Sequence, residues 1–193
     1  MRCRRSSQAA LGSQTPWVTC NYRSHHLQPE DRSPKHRTTK EGVLEFAIPH
    51  SLKVEHEKLH EALRSATKES GELGAAAVAV AELMHPHFLK EEEYALPPLG
   101  LLGDLAQGVV TPDMKDVLIL TDKLKADLPQ MLAEHQSIVA ALERLSAAAK
   151  NAGKTAYVEF AEALKLHAQT EEEVTYPTAI LIGEYVRNKS DSV

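Results

Sequence analysis

Cysteine is absent from most of the 193-residue chain, because both cysteines, Cys3 and Cys20, lie near its N-terminus. The residues that follow them therefore contain neither a disulfide framework nor a thiolate metal site. The sequence also lacks a run of about 18 apolar residues, the length that a membrane-spanning helix needs. We therefore expect a cytoplasmic protein that has no membrane partner.

Charge is divided unevenly along the chain. Residues 1–40 contain eight Lys or Arg residues and two Asp or Glu residues, a net charge of +6. The other 153 residues contain 14 Lys or Arg residues and 25 Asp or Glu residues, a net charge of −11. An acidic domain repels a phosphate backbone, which excludes nucleic acid as its main partner.

Residues 1–42 are predicted to be a disordered basic leader, and residues 43–193 a single domain. Gly, Ser, Pro and basic residues dominate the leader, and it has no hydrophobic periodicity. No acidic residue occurs before Glu30, a composition that resembles a transit peptide. An ordinary disordered tail, or an upstream start codon assigned in error, explains the same composition.

Hydrophobic residues recur at helical spacing through the domain, and no segment alternates in the way that strands do. Mostly short connections between such helices predict an all-α fold, an up-down-up-down four-helix bundle with a short C-terminal helix. The first predicted helix spans 51–69 and is capped by Ser51, and the second spans 71–95 and is kinked at Pro86. The third runs from Thr111 to residue 153 and is bent at Pro129. The fourth spans 154–175 and is ended by Pro177, and a terminal helix spans 178–186.

One sequence pattern occurs twice, 80 residues apart, as HFLKEEEYALP at 87–97 and HAQTEEEVTYP at 167–177. Each copy begins with His, has three glutamates at the fourth to sixth following positions, and reaches a proline at the tenth. The segment EHEKLHEAL at 55–63 likewise aligns with EHQSIVAAL at 134–142. One helix–loop–helix unit therefore occurs twice. This predicts approximate two-fold symmetry and two matching half-sites, one from each unit, around one centre.

Each predicted helix carries one histidine on its apolar stripe, and two of the stripes add a glutamate one turn later. An unpaired charge buried in a core costs several kcal/mol, and a cation at the centre removes that cost. Imidazole and carboxylate ligands suit iron, manganese or zinc, and two bridging carboxylates suit two metals about 3.5–4 Å apart. The candidate ligands are His56, His87, Glu91, His135, His167 and Glu171, on stripes that also include Leu83 and Val174.

The order of these ligands, H…HxxxE…H…HxxxE, resembles that of the hemerythrin-like family of HHE cation-binding domains over about residues 50–187. The resemblance implies two iron ions in a four-helix bundle. It also implies that the four histidines are terminal ligands, that the two glutamates bridge, and that an oxo or hydroxo group completes the bridge. Zinc or manganese would satisfy the same ligands.

The sequence departs from the oxygen-carrying hemerythrins at two positions. They have a second histidine on the third helix, where this chain has Val139. Their last carboxylate lies five residues after the final histidine, where this chain has Glu172 as well as the glutamate at position four. The pattern is therefore closer to the non-oxygen-carrier type, and Glu172 is an additional candidate ligand. His60 supplies either a fifth histidine or a hydrogen-bond partner of a ligand, and Tyr94 either hydrogen-bonds Glu91 or packs in the core.

The resemblance implies a non-haem di-iron protein that reacts with or senses dioxygen, peroxide or nitric oxide, and it leaves open whether the protein turns over as an enzyme. The alternative is iron storage, iron sensing or iron donation for iron–sulfur cluster repair without catalytic turnover. A ferritin-like carboxylate bundle is a third interpretation, but its Glu-x-x-His runs, which end at His60 and His85, do not recur in the second half. A plain structural bundle, the fourth interpretation, predicts that the protein binds no metal.

Overall fold

The computed structural model describes residues 37–38 and 44–190. Two short strands lie in this part of the chain, Arg37–Thr38 (β1) and Leu44–Glu45 (β2), and they pair antiparallel with Arg37 opposite Glu45. Strands of two residues are too short to produce an alternating pattern, so the sequence did not predict them. The rest of the predicted leader lies outside the described residues.

The described domain is built from helices, which confirms the predicted all-α four-helix bundle. The helices are α1 (His50–Ala66), α2 (Gly71–Lys90), α3 (Leu102–Leu105), α4 (Val117–Asn151), α5 (Thr155–Thr170) and α6 (Tyr176–Ser190). The longest helix, α4, packs against α2, α5 and α6, and α1 packs against α2 and α5. Helices α1, α2, α4 and α5 therefore form the bundle. No helix within residues 37–38 and 44–190 is both long and apolar enough to cross a membrane.

Helices α2 and α5 each continue into one turn of π-helix, Glu91–Ala95 and Glu171–Thr175. The Leu96 amide donates to the Glu91 carbonyl at 2.8 Å, which is the i→i+5 bond of a π-helix. The wider turn changes which side chains return to the inner face. Both π turns begin at a predicted ligand, so the two copies of the repeat share this feature.

Pro177 does not end the fourth helix, contrary to the prediction. It is the second residue of α6, which follows the second π turn directly and has 15 residues. Proline is tolerated in the first turn of a helix, so the chain continues as a helix beyond this position. Gly183 allows α6 to lie close to α4, because a Cβ there would collide with the Thr121 hydroxyl. The predicted short terminal helix is therefore longer and begins earlier.

Two predicted helix starts also differ. Helix α1 begins at His50 with Pro49 at the N-cap position, so Ser51 is not its cap. Thr111 does precede a helical turn, a 3₁₀ helix over Pro112–Asp116, but its side chain makes no capping hydrogen bond and α4 starts at Val117. A second 3₁₀ helix over Pro97–Leu101 follows the first π turn.

The apolar core has two parts. One joins the four bundle helices and includes Leu63, Phe88 and Leu142. The other joins the first π turn, the 3₁₀ helix after it, α4 and α6, and includes Met131 and Tyr176. Each fully buried large side chain of this kind contributes about 1.5–3 kcal/mol to stability.

Two residues that were predicted to face inward are exposed. Leu83 is 37% exposed and Val174 is 56% exposed, whereas Met84 and Thr175 are buried. Met84 lies three residues before His87, which is also an inward-facing spacing. Val174 lies inside the second π turn, where the wider turn brings the next residue to the inner face.

Candidate metal centre

Six buried polar residues meet in the middle of the bundle. One histidine comes from each of the four bundle helices, and each π turn contributes its first residue, Glu91 or Glu171. Glu91 is 0% exposed and Glu171 2% exposed. The structure therefore brings together all six candidate ligands, His56, His87, Glu91, His135, His167 and Glu171.

These residues form two overlapping clusters. In each cluster the candidate ligand atoms all lie within 4.8 Å of one another. Both glutamates belong to both clusters, and the histidines divide as His56 with His167 and His87 with His135. Two equivalent sets are therefore present. Each set takes one histidine from each helix–loop–helix unit, rather than both histidines from one unit.

The distances reproduce the two-fold relation between the halves. His87 Nε2 lies 3.1 Å from Glu91 Oε1, and His167 Nε2 lies 3.1 Å from Glu171 Oε1. His56 Nε2 lies 3.8 Å from Glu91 and 3.7 Å from Glu171. His135 Nε2 lies 3.9 Å and 3.6 Å from the same two carboxylates. Each carboxylate therefore faces the histidines of both clusters.

The outer nitrogen of each histidine faces a glutamate, so that Nε2 points to the centre. Such carboxylate partners fix the ring orientation of a metal-binding histidine. Two of these glutamates belong to the repeated Glu-His pairs, and the other two are the middle residues of the glutamate triplets. Their repetition in the sequence could therefore have identified them as residues of the centre. Three of the Nδ1 atoms are hydrogen-bonded, His87 to Glu134 at 2.8 Å, His135 to Glu172 at 2.9 Å and His167 to Glu55 at 3.2 Å. His56 Nδ1 lies 3.7 Å from Glu92, too far for a hydrogen bond.

Burial by itself disfavours the charged form of each group at the centre. For Glu91, contacts with His135 and His87 outweigh burial and hold its pKa well below the ordinary value. Burial likewise lowers the pKa of His87, but the bond to Glu91 outweighs it and the pKa rises. Burial also lowers the pKa of His167, but the neighbouring Glu171 carboxylate outweighs burial and raises that pKa to about 9. A metal ion that binds these nitrogens has to displace their protons.

Several atoms of the centre have no hydrogen-bond partner. Among the described residues, six buried side-chain nitrogen or oxygen atoms lack one, and five of the six belong to the centre; the sixth is Ser146 Oγ. Buried polar atoms are nearly always paired, so a group of unpaired donors and acceptors needs an explanation. A cation satisfies imidazole nitrogens and carboxylate oxygens together, so the residues present fit a metal ion. The five atoms are His56 Nδ1 and Nε2, Glu91 Oε2, His167 Nε2 and Glu171 Oε1. The last two lie 3.1 Å apart but do not have the geometry of a hydrogen bond.

Tyr176 also belongs to the centre, and sequence reasoning missed it. Its hydroxyl donates to Glu91 Oε1 at 2.6 Å and lies 3.4 Å from His87 Nε2 and 3.3 Å from His135 Nε2. In a regular α-helix a residue five positions after Glu171 would lie about 140° around the axis. The π turn brings it back to the inner face, because the Tyr176 amide bonds to the Glu171 carbonyl.

The remaining candidates lie outside both clusters. Tyr94 donates to Asp127 Oδ2 at 2.6 Å, so its hydroxyl is committed to Asp127 rather than to Glu91. His60 packs against the Phe88 ring with centroids 4.3 Å apart, and burial lowers its pKa. Glu172 faces the outer nitrogen of His135 as described above, with 40% of its side chain exposed.

A family model described as the hemerythrin HHE cation binding domain matches residues 47–179. The chain belongs to the hemerythrin HHE cation-binding domain family. Comparison with curated proteins and comparison with solved structures gave no significant match. For this hemerythrin HHE domain, family membership implies metal binding, and the buried histidine and glutamate clusters offer the ligands for it.

Proposed function

We propose that this hemerythrin-like domain holds two iron ions, one in each cluster, and that it reacts with or senses dioxygen, peroxide or nitric oxide. The observation that carries the proposal is the sharing of Glu91 and Glu171 between two clusters of otherwise different histidines. One metal ion would leave half of the histidines unused. Imidazole with carboxylate suits iron, and zinc or manganese are the competing ions for the same ligands.

The residues of the chain have distinct roles in this proposal. The four histidines would hold the ions terminally, and the glutamates at their outer nitrogens would keep the rings oriented. The Tyr176 hydroxyl holds the Glu91 carboxylate by donating to it at 2.6 Å. Burial of all six ligands excludes bulk water. An iron pair bound there would supply two electrons to a small oxidant.

Iron storage, iron sensing or iron donation for cluster repair would use the same centre without turnover, and these functions remain predictions. The predictions that the protein is cytoplasmic, that it has no nucleic-acid partner and that residues 1–42 form a leader also remain predictions.

The test is anaerobic titration of the chain with ferrous iron, with the bound iron counted and the near-ultraviolet spectrum followed after air is admitted. We expect two irons per chain and new charge-transfer absorption in air. The matched control is His60→Ala, which removes a histidine outside both clusters and should bind the same amount of iron. Failure to take up iron, or saturation at one iron per chain, would contradict the proposed pair. Absorption that reverses under vacuum would indicate an oxygen carrier, whereas iron released intact to a chelator would favour storage or donation.

A further inference from the structure

The ring of His56 is not held in place by a hydrogen bond, unlike the rings of the other three candidate histidine ligands. The Nδ1 atoms of His87, His135 and His167 are each bonded to a glutamate, whereas neither nitrogen of His56 has a hydrogen-bond partner among the described residues. The side chain is nevertheless buried, and buried polar atoms are nearly always paired. Rotation of this ring about its Cβ–Cγ bond therefore breaks no hydrogen bond.

The two nitrogens of the His56 ring face different surroundings. Nε2 faces the centre and lies 3.8 Å from Glu91 and 3.7 Å from Glu171. Nδ1 lies 3.7 Å from Glu92, whose side chain is 46% exposed. Both His56 and Glu92 line a cavity of about 760 Å³. The buried ring therefore lies between this cavity and the centre.

The wall of the cavity is acidic. It carries three glutamates, Glu57, Glu92 and Glu93, and one lysine, Lys53. Glu93 is bonded to Lys123 at 2.7 Å, but in the described part of the chain neither Glu57 nor Glu92 pairs with a lysine or arginine. Carboxylates without a cationic partner raise the local concentration of cations in a cleft. Here the cleft also leads to a buried imidazole with an unpaired nitrogen, which is itself a cation ligand.

The second helix–loop–helix unit has a different arrangement at the equivalent positions. Gln136 takes the place of Glu57, since each follows the histidine of a repeated Glu-His pair. Glu172 takes the place of Glu92, but it is bonded to His135 Nδ1 at 2.9 Å. The unpaired carboxylates and the ring that no hydrogen bond holds thus occur together in the first unit.

We propose that divalent cations reach the metal centre through this cavity, are held first by Glu57 and Glu92, and pass inward by way of His56. Carboxylate oxygens suit a hydrated divalent ion, and imidazole then replaces oxygen ligands of a first-row transition metal. The inference rests on one part of the proposed function, that the centre holds metal, and is independent of which ion binds and of any reaction with a gas or peroxide. It assigns the two glutamates to the rate of metal uptake rather than to the amount bound.

The test measures how fast metal enters the full chain, separately from how much is finally bound. Metal-free protein is mixed with ferrous iron in the absence of oxygen, excess chelator stops uptake at set times, and the iron retained by the protein is counted. Zinc replaces iron if the unmodified chain binds no iron. The variant is Glu57→Gln/Glu92→Gln. Its control is Glu143→Gln/Glu159→Gln, which changes the net charge equally at two exposed positions of α4 and α5 outside the cavity wall.

We expect Glu57→Gln/Glu92→Gln to take up metal roughly tenfold more slowly than the unmodified chain and to reach the same content at saturating metal. The control should keep the rate within about twofold of the unmodified chain. Lys53→Gln removes the cation of the wall and should speed uptake. Added salt should reduce the difference in rate between Glu57→Gln/Glu92→Gln and the unmodified chain, because it screens exposed charges.

The outcomes separate this inference from the proposed function. Equal slowing in both double variants, or slowing in neither, with the final metal content intact, would overturn the route alone. An unmodified chain that binds neither ferrous iron nor zinc would instead remove the proposed function, and the route with it.

Discussion

The two helix–loop–helix units supply the same kinds of candidate ligand, but the residues around these candidates differ. In both units a histidine and a glutamate lie one turn apart at the start of a π turn, with the same 3.1 Å separation. In the second unit the Tyr176 hydroxyl donates to Glu91, and His135 Nδ1 is bonded to Glu172. In the first unit Leu96 stands in place of the tyrosine, His56 Nδ1 has no hydrogen bond, and a cavity borders His56. The candidate ligands therefore follow the two-fold relation of the repeat closely, whereas the residues around them do not.

Removal of a candidate ligand should change the protein most, and the size of the change depends on whether the residue belongs to one cluster or to both. Glu171→Ala removes a ligand from both clusters, whereas His87→Ala removes one ligand from one cluster. In His87→Ala we expect bound iron to fall from two per chain to about one or fewer. In Glu171→Ala we expect it to fall further than in His87→Ala. The helices should remain formed in both variants. Iron analysis with circular dichroism measures both. Full iron content in both variants would show that the ligand assignment is wrong.

The glutamates behind the histidines provide the next comparison. Glu134 accepts from His87 at 2.8 Å and from Lys90 at 2.6 Å, and these bonds outweigh burial and lower its pKa to about 2. The carboxylate that faces the outer nitrogen of His56 is Glu92, at 3.7 Å. Glu134→Ala should weaken metal binding about 10-fold or more, and Glu92→Ala should weaken it less. Competition with a chelator of known affinity measures the two. A larger loss in Glu92→Ala would contradict the inequality of the two sides.

The metal-free chain should lose stability as the pH rises above neutrality. The pKa of His167 is about 9 in the folded chain and 6.5 as the ordinary value, so the folded state holds its proton more tightly. The resulting stability is fully present below pH 6.5 and is lost as the pH rises through about 9. Urea unfolding of the metal-free parent and of His167→Ala, at pH 6 and at pH 9.5, tests this. The difference in unfolding free energy between the parent and His167→Ala should be smaller at pH 9.5 than at pH 6. A larger difference at pH 9.5 would contradict the raised pKa of His167.

Removing the hydroxyl of either buried tyrosine should change the protein least, and the two substitutions should affect different properties. Tyr94→Phe removes a hydrogen bond to Asp127, outside both clusters, and should cost about 0.5–1.5 kcal/mol of unfolding free energy with no change in bound iron. Tyr176→Phe removes the donor to Glu91 and should alter the spectrum of the loaded protein. Chemical denaturation and absorption spectroscopy separate the two outcomes. A change in iron content in Tyr94→Phe would mean that its hydroxyl influences the centre.

Much of the fold, and the inward position of the six candidate ligands, was predictable because helical periodicity acts over short distances. His87 and Glu91, four residues apart, share a face whatever the rest of the bundle does. Errors arose where a local rule was overridden. Pro177 was expected to end a helix and lies in the first turn of α6, and Val174 was expected inside and is 56% exposed. Both lie in or just after a π turn, which α-helical spacing does not anticipate.

Residue type and spacing along the chain are enough to predict the number of helices in the bundle, the six candidate ligands and the internal repeat. They do not predict how the histidines divide between the clusters, that Tyr176 approaches Glu91, or that a cavity borders His56. These properties depend on where separate helices lie relative to one another. The π turns and the packing of α6 on α4 set those positions, and no short segment of the sequence contains that information.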